Sequence, residues 1–582
     1  MKKSIHIMPV HNIDIAAIFN EIADFLEIEG ENPFRIRAYR NAAHTLSGLG
    51  TELKDMVAAN EDLTKLPGIG KELAAKINEI LETGTAKALI KLQQRIPKTV
   101  IEMLKLPNLG PKRVRILYQD LKIKNLEQLS KAARKGRIRA LEGFGQKTEK
   151  AIVEAIEARA QKEKRFKIAA VKPSVDSLID FLQNVPGVID VVAAGSYRRC
   201  RETVGDLDIL VTARKTSPLM NRFLEYDEID KVLSSGITRA SVVLRSGLQV
   251  DVRLVAQSSF GAALQYFTGS KDHNIAIRRL GQQAGLKINE YGVFRFEKQV
   301  AGRTEASVYR TLDLPYIPPE LRENRGEIEA AGEERLPELI ELKDLKGDLH
   351  IHTLATDGRN SLEEMALAAQ KHRFKYIAIT EHSDRLKVAG GLDPPRLMQQ
   401  IDEIERLNDT LKGIRILKGL EVEILEDGTL DLPDAVLARL DLVVGTVHSY
   451  FNLSLEKQTE RILRAMDHRY FSMLAHPTGR LINAREPYQV DMARIIHKAK
   501  ERGCFLELNS NPRRLDLYDI YCQIAKAEGV LVSINSDAHG INDFNYLAFG
   551  VGQARRGWLE KDDVLNTRSL AQLRKLLKQT MV

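Results

Sequence analysis

Cysteine is nearly missing from this chain of 582 residues: Cys200, Cys504 and Cys522 stand alone, with no CxxC spacing. That excludes a disulfide framework and a thiolate zinc site. No uninterrupted apolar run reaches spanning length, and Met1-Lys2-Lys3-Ser4 leads into no signal-peptide apolar region. A cytoplasmic protein with no membrane partner is expected. Charge of one sign is also scarce: 87 Lys and Arg against 79 Asp and Glu leave a net +8, an excess that suits a polyanionic partner but is first a solubility trait. The apolar and charged fractions are those of an ordinary globular protein, and the length calls for three or four domains.

Histidine, by contrast, is concentrated. Of 13 in the chain, nine (His350, His352, His372, His382, His448, His468, His476, His497 and His539) follow residue 345. Three composition zones precede and surround them. From about 12 to 165 apolar residues recur at helical spacing, as in Ile15-Ile18-Phe19-Ile22-Phe25-Leu26. From about 187 to 300 short β-branched runs alternate with helical stretches. Residues 347–582 alternate strands and helices, the pattern of a largely parallel sheet.

Within the helical zone, Leu66-Pro67-Gly68-Ile69-Gly70, Leu106-Pro107-Asn108-Leu109-Gly110 and Leu141-Glu142-Gly143-Phe144-Gly145 share one plan. Each puts glycines where a tight turn needs positive φ, then opens a helix whose free N–H groups can take an anion. Lys71, Lys112 and Lys147 follow directly, so a phosphate would meet dipole and charge together. One such turn is as easily a plain interhelical connection; three copies favour backbone binding. Lys131, Arg134, Lys135, Arg137 and Arg139 add basic character near the third, although charge runs are usually solvated faces.

In the mixed zone, Gly195-Ser196-Tyr197-Arg198-Arg199 precedes Gly205-Asp206-Leu207-Asp208. Asp206 and Asp208 project from one strand face, and Asp251 in Val-Asp-Val-Arg-Leu-Val can stand beside them. Three neighbouring carboxylates repel unless cations lie among them, and that geometry holds two Mg²⁺ ions for phosphoryl transfer. A bare DxD is as often an exposed polar face; the Gly-Ser, the basic pair and the third aspartate make this one specific.

In the last zone, strand runs end in His350 and His352 (with Asp357 in the loop), His382, Glu421, His448, His476, Asn509 (Phe505-Leu506-Glu507-Leu508-Asn509), and Asp537 with His539. Seven strands with chemistry at their C-terminal ends describe a barrel. Nine nitrogen and oxygen ligands without sulfur suit Mn²⁺, Zn²⁺ or Fe²⁺, and exceed the needs of one ion, so two or three ions are expected. Glu423 shares a strand face with Glu421 and is the alternative ligand. His372, His468 and His497, on helical stretches, are read as structural.

Over nearly the whole chain these motifs resemble one family, the bacterial family X DNA polymerases, which are similar to DNA polymerase beta and carry a C-terminal PHP (polymerase and histidinol phosphatase) domain. The stretch Phe34-Arg35-Ile36-Arg37-Ala38-Tyr39-Arg40-Asn41-Ala42-Ala43 with 66–76, and Tyr266-Phe267-Thr268-Gly269-Ser270 with Asn274, Arg278 and Ile288-Asn289-Glu290-Tyr291, narrow it to that family. The resemblance implies a multidomain fold: a helical helix-hairpin-helix N-terminal region, an α+β nucleotidyltransferase palm with a thumb-like subdomain, and a C-terminal distorted (β/α)7 PHP barrel. The boundaries follow as 1–90 (lyase-like, first hairpin), 91–170 (fingers-like, second and third hairpins), 171–245 continuing to 260 (palm), 261–315 (thumb-like, nucleotide selection), 316–345 (a solvated acidic linker) and 346–575 (PHP).

By the same resemblance, Ser196, Arg199 and the Gly205 backbone would hold the β,γ-phosphates. Tyr266, Phe267 and the Gly269 backbone would crowd the sugar 2′ position, and Asn274 and Arg278 would touch the minor-groove edges of the nascent pair and template. Lys76 matches a Schiff-base lysine of an abasic-site lyase, or is a DNA-contacting lysine. Cys200 is read as loop packing. Lys418, Arg485 and Arg513 are candidates for substrate phosphates. The implied function is a monomeric, template-directed repair polymerase that fills short gaps in gapped or nicked double-stranded DNA with deoxynucleoside triphosphates. Its PHP domain would act as a metal-dependent 3′→5′ exonuclease, with action on abasic sites or 3′-phosphates as alternatives.

Overall fold

The computed structural model describes residues 12–47, 53–59, 61–106, 109–141, 143–163 and 165–581. Pro107, Asn108 and Glu142 of the hairpin motifs lie outside the described residues. The chain divides into two compact units, Met1–Lys164 and Arg165–Val582.

The first unit is helical throughout. Asn32 accepts from Phe34 N at 2.9 Å and Pro33 opens the helix Pro33–Ser47, a start that needs no donor from proline. That helix packs on Asn12–Glu29, with Phe19 and Tyr39 edge to face at 5.5 Å. Asn125 caps Leu126–Arg134 in the same way, accepting from Gln128 N at 2.9 Å.

The second unit begins with a five-stranded sheet. Its spatial order is Val188–Ala193, Asp206–Ala213, Gln249–Leu254, Arg239–Leu244, Ile229–Ser235. Only Asp206–Ala213 and Gln249–Leu254 run parallel. Strand alternation sorts the faces: Leu207, Ile209 and Val211 pack on Val175, Leu178 and Leu182 of the helix Ile168–Gln183, while Leu210 meets Ala263 and Leu264 of Phe260–Thr268. Asp206 and Asp208 share the Leu210 face. A three-stranded antiparallel sheet over Lys287–Ala301 completes the thumb-like part.

Residues 316–345 correct the expectation of a solvated linker. Arg322 and Glu327 are fully buried. Arg322 donates to Glu305 at 2.7 Å and to Ile317 O at 2.9 Å, between the rings of Tyr309 and Tyr316. Glu327 accepts from Asn324 N and Arg325 N and meets His273 Nδ1 at 2.6 Å. Glu320 pairs with Arg555 at 2.7 Å, and Glu323 with Arg199 at 3.0 Å and Arg556 at 2.8 Å. Glu320, Glu323 and Glu327 look solvated in the sequence because their partners Arg555, Arg199, Arg556 and His273 are far along the chain, whereas Glu329, Glu333 and Glu334 are exposed as expected.

The remainder is a barrel of seven parallel strands in chain order: Gly347–Asp348, Tyr376–Ile379, Arg415–Glu423, Leu442–Thr446, Met473–Leu474, Phe505–Asn509 and Val532–Asn535. A parallel bridge from Ile351 to Ala538 joins the first and last strands. The strands are buried on both faces, as their near-continuous apolar runs require.

Two candidate metal centres and three hairpins

The hairpins repeat in geometry as in sequence. Ile69, Leu109 and Phe144 are buried, and their N–H groups donate to Leu66, Leu106 and Leu141 carbonyls at 3.1, 3.3 and 3.1 Å. The apolar plug and flanking leucine thus fix the turn. Gly68 and Gly143 take φ of +76° and +78°. Gly70 and Gly110 precede the helices Lys71–Thr83 and Pro111–Asp120 without a side-chain cap, and a Cβ at Gly70, Gly110, Gly143 or Gly145 would meet nothing within 4 Å. Open N–H groups therefore face open space, with Lys71, Lys112 and Lys147 exposed beside them. Arg139, by contrast, is engaged: Glu149 takes its Nε at 2.8 Å.

Lys76 borders a cavity of about 500 Å³ between helices. Its Nζ lies 2.5 Å from Glu72 and 5.9 Å from the Tyr39 ring centroid. That nearest neighbour is a carboxylate, while Arg35, Lys87, Lys91 and Arg95 line the same cavity, cationic surroundings of the kind that activate a lysine nucleophile.

On the sheet, Asp208 and Asp251 are register partners and Asp206 precedes Asp208 by two, so the three carboxylates share one face. Ser241 stands opposite Asp251 on the other side. It hydrogen-bonds that carboxylate, together with Arg239 at 3.0 Å and Gln249 at 3.0 Å, which fixes its orientation. Burial and the charge of Asp206 push Asp208 up to about 7. Arg253 Nε, 3.9 Å away, answers only part of that charge, so the place favours added cations. Gly195 has φ +63° and a Cβ there would lie 3.3 Å from Asp208 Oδ2, which explains a glycine at this turn.

Around this triplet the expected nucleotide contacts are only partly open. Arg199 and Gly269 do come together, a Gly269 Cβ lying 3.0 Å from Arg199 Nη1. Arg199, however, donates to the Thr268 carbonyl at 2.5 Å and to Glu323 at 3.0 Å, because a buried guanidinium needs a carboxylate. Arg198 is likewise held by Glu305 at 2.7 Å. Ser196 lies in the short helix Gly195–Arg198, and Gly205 beside Arg165 and Asp206. Asn274 donates to Tyr266 O at 2.7 Å and accepts from Gln265 at 2.8 Å, tying two helices together, and Arg278 caps back onto Asn274 O at 3.3 Å. Phe267 lies under Arg253 at 4.3 Å and against Tyr266 at 5.1 Å. Cys200 packs against Gly552, and burial pushes its thiol up to about 12, in keeping with a packing role.

At the barrel mouth the nine expected ligands converge. Most sit just beyond a strand end rather than within it. Glu421 is the hub: Oε2 lies 2.7 Å from His382 Nδ1, 3.5 Å from His350 Nε2 and 3.7 Å from His352 Nε2. Its Oε1 lies 3.0 Å from His476 and 3.6 Å from His448. Asp537 Oδ1 is 3.4 Å from His352 Nε2, and Asp357 Oδ1 is 3.5 Å from both His382 and His539. Three overlapping groups have the spacing to hold a cation: His352, Asp357, His382 and His539; His350, His352 and Asp537; His382, Glu421 and His448. Glu423 is hydrogen-bonded to Ser449 at 2.7 Å and lies 3.2 Å from His448 Nδ1, and it belongs to none of the three groups.

Orphaned atoms show that cations fit here. Both ring nitrogens of His352, Nε2 of His350 and Nδ1 of His476 are buried without a hydrogen-bond partner, and His382 Nδ1 and Glu421 Oε2, although 2.7 Å apart, are not aligned for a hydrogen bond. Burial and adjoining imidazoles push His352 down to about 3, so its neutral ring offers itself as a ligand. Unpaired buried polar atoms are costly, and metal coordination answers that cost. The donor set, imidazole and carboxylate without sulfur, matches hard or borderline divalent ions.

Sequence reasoning missed the supports. Glu507 is buried, 2.7 Å from His350 Nδ1, and accepts from His476 N at 2.7 Å and Asn535 at 3.0 Å. Its signal was there: a lone carboxylate inside an apolar parallel strand. Arg514, not Arg513, reaches the centre, with Nε 3.5 Å from Asp537 and a buried, unpartnered Nη1. Lys418 is turned outward to Glu405 at 2.9 Å, away from the mouth. His372, His468 and His497 belong to none of the three groups.

Comparison with known proteins agrees with this architecture. Residues 10–86 match a helix-hairpin-helix domain, 100–158 a SAM-like helix-hairpin-helix tandem, 263–323 a DNA polymerase beta thumb and 348–511 a PHP domain. The DNA polymerase/3′-5′ exonuclease PolX of Bacillus subtilis is 39% identical over 574 residues, 98% of this chain and 100% of the relative. A probable phosphatase of Thermoanaerobacter is 28% identical over 243 residues, 40% of this chain and 94% of the relative. One from Acetivibrio thermocellus is 29% identical over 218 residues, 36% and 83%. Fold and sites together define a DNA-binding polymerase with an appended divalent-metal phosphoesterase barrel. The chain belongs to the bacterial family X DNA polymerases with a C-terminal PHP domain. No helix among the described residues is long and apolar enough to cross a membrane.

Proposed function

We propose that this protein is a gap-filling DNA repair polymerase whose barrel trims the 3′ end. The observation that carries it is the register of Asp208 against Asp251, with Asp206 on the same face, in one compact unit with a complete histidine–carboxylate barrel. The hairpin glycines and Lys71, Lys112 and Lys147 would hold the backbone of gapped or nicked duplex. Asp206, Asp208 and Asp251 would hold two Mg²⁺, which when bound acidify a primer 3′-hydroxyl and neutralise charge on a deoxynucleoside triphosphate. Asp251 is kept ionised and oriented by Ser241, Arg239 and Gln249, and Gly195 leaves room for Asp208. Tyr266 and Phe267 would wall the sugar pocket.

The barrel ligands His350, His352, Asp357, His382, Glu421, His448, His476, Asp537 and His539 would hold two or three Mn²⁺ or Zn²⁺ ions, which activate water and clamp a phosphodiester. Glu507 and Glu423 orient His350 and His448 through their Nδ1 atoms. Arg514, with one nitrogen free, is placed to meet a phosphate oxygen.

Labelled primer on a one-nucleotide gap tests both sites. Asp206→Ala with Asp208→Ala should abolish nucleotide addition and spare 3′ hydrolysis; His350→Ala with Asp357→Ala should do the reverse. Retention of both activities in both double variants overturns the assignment.

A further inference from the structure

Beside the barrel mouth lies a separate cavity of about 680 Å³. Its walls come from two loops that leave the metal cluster directly. Tyr450 and Phe451 follow His448, and Arg485, Pro487 and Tyr488 follow His476. Gly479 joins cavity and cluster: its N–H returns to the His476 carbonyl at 2.9 Å. A Cβ there would strike Tyr488 at 2.5 Å and stand 3.6 Å from Phe451. Tyr488 also donates to the Pro477 carbonyl at 2.7 Å. The aromatic floor is thus pressed against the backbone that carries a ligand.

Phe451 and Tyr488 lie nearly parallel, 6.2 Å apart at 21°. Arg485 stands 4.2 Å over Phe451 with Nε on the Gly479 carbonyl. No carboxylate pairs with Arg485 among the described residues, although Glu486 also lines the cavity. Around the mouth, Leu354, Val388 and Tyr450 are 62%, 99% and 50% exposed, on loops that follow His352, His382 and His448. A small phosphate ester needs none of this. Flat apolar surfaces with an unneutralised guanidinium are what an unstacked base and its phosphate require.

We propose that this shelf is a nucleobase subsite: a nucleotide of the unpaired 3′-terminal strand, next to the scissile bond, rests its base there with Arg485 toward its phosphate. The inference rests on the nuclease reading of the barrel. The test uses full-length wild type, Tyr450→Ala, Phe451→Ala, Phe451→Trp and Arg485→Gln with Mn²⁺. Substrates are a single-stranded oligonucleotide and versions with a base-less tetrahydrofuran residue at each of the last three positions. Metal content measured by elemental analysis normalises each variant for its metal centre.

Tyr450→Ala and Phe451→Ala should lose about tenfold in kcat/KM, chiefly through KM, on the scale of one lost base stack. Phe451→Trp should keep it. One base-less position should cost the wild type a similar factor and cost Phe451→Ala nothing further. Variants equal to wild type, or no sensitive position, overturn the subsite while the nuclease reading stands. A wild type that releases nothing from any 3′ end overturns the nuclease reading and the subsite with it. Tyr450, half exposed, keeps the test open if Phe451→Ala fails to fold.

Discussion

Glu507 carries no exposed surface, yet four donors converge on it: His350 Nδ1, His476 N and the Asn535 and Asn509 amides. Its carboxylate fixes the tautomer of His350 so that Nε2 is turned toward Glu421 and Asp537. Glu507→Gln should therefore weaken metal binding by about 10–100-fold, read by titration of metal-free protein, while primer extension at the palm is kept. Unchanged affinity would remove Glu507 from the support of the centre. The nine side chains that meet at the barrel mouth were legible as residue types at strand ends; their supports were not, because a buried glutamate looks the same in a sequence whether it pairs with histidine, arginine or nothing.

Among the elements, the three hairpins were the most legible, since their turn depends on local glycines and one apolar plug. The phosphate contacts proposed there would act through charge. Lys112→Ala with Lys147→Ala should weaken binding of gapped DNA alike across sequences, and should lower the slope of log affinity against log salt by about one per lysine. A slope equal to wild type, measured by fluorescence anisotropy, would place both lysines off the DNA.

The segment 316–345 was the least legible element. Although burial works against it, Arg556 and Arg199 hold the Glu323 carboxyl below the ordinary carboxylate range. Its stabilisation is therefore present above the usual glutamate value of 4.5 and lost as pH falls below it. Glu323→Gln leaves Arg199 without a carboxylate, while Arg556 keeps Asp519 at 2.6 Å, and should cost about 3–5 kcal/mol at pH 7. Between pH 5 and pH 3 the variant should lose less of its remaining stability than wild type, as measured by denaturant unfolding. Parallel losses in that window would show that Glu323 is not the titrating group.

For the whole molecule, the palm, thumb-like part, 316–345 and barrel form one compact unit, Arg165–Val582. Besides the ion pairs of Glu323, Arg480 reaches Glu202 at 2.8 Å, and Asn483 the Arg165 carbonyl at 2.8 Å. A solvated linker would be an early tryptic target; here Arg322 is fully buried and Arg325 is paired with Asp519 at 3.0 Å. Limited trypsin digestion followed by mass spectrometry should show no early fragment ending at Arg322 or Arg325. Early cleavage there would contradict the packing.

The sequence by itself determined the periodicities, the turn glycines, the DxD face and the ordered set of ligands, because these follow from backbone geometry and residue chemistry over a few positions. Only the tertiary structure decided that Glu421 is the hub and Glu423 its neighbour's support, that Arg514 rather than Arg513 faces the centre, and that Glu320, Glu323 and Glu327 of an acidic stretch are packed against distant arginines and a histidine. Those outcomes depend on partners brought together from distant parts of the chain, and a buried charge acquires its role only when its counter-charge is in place.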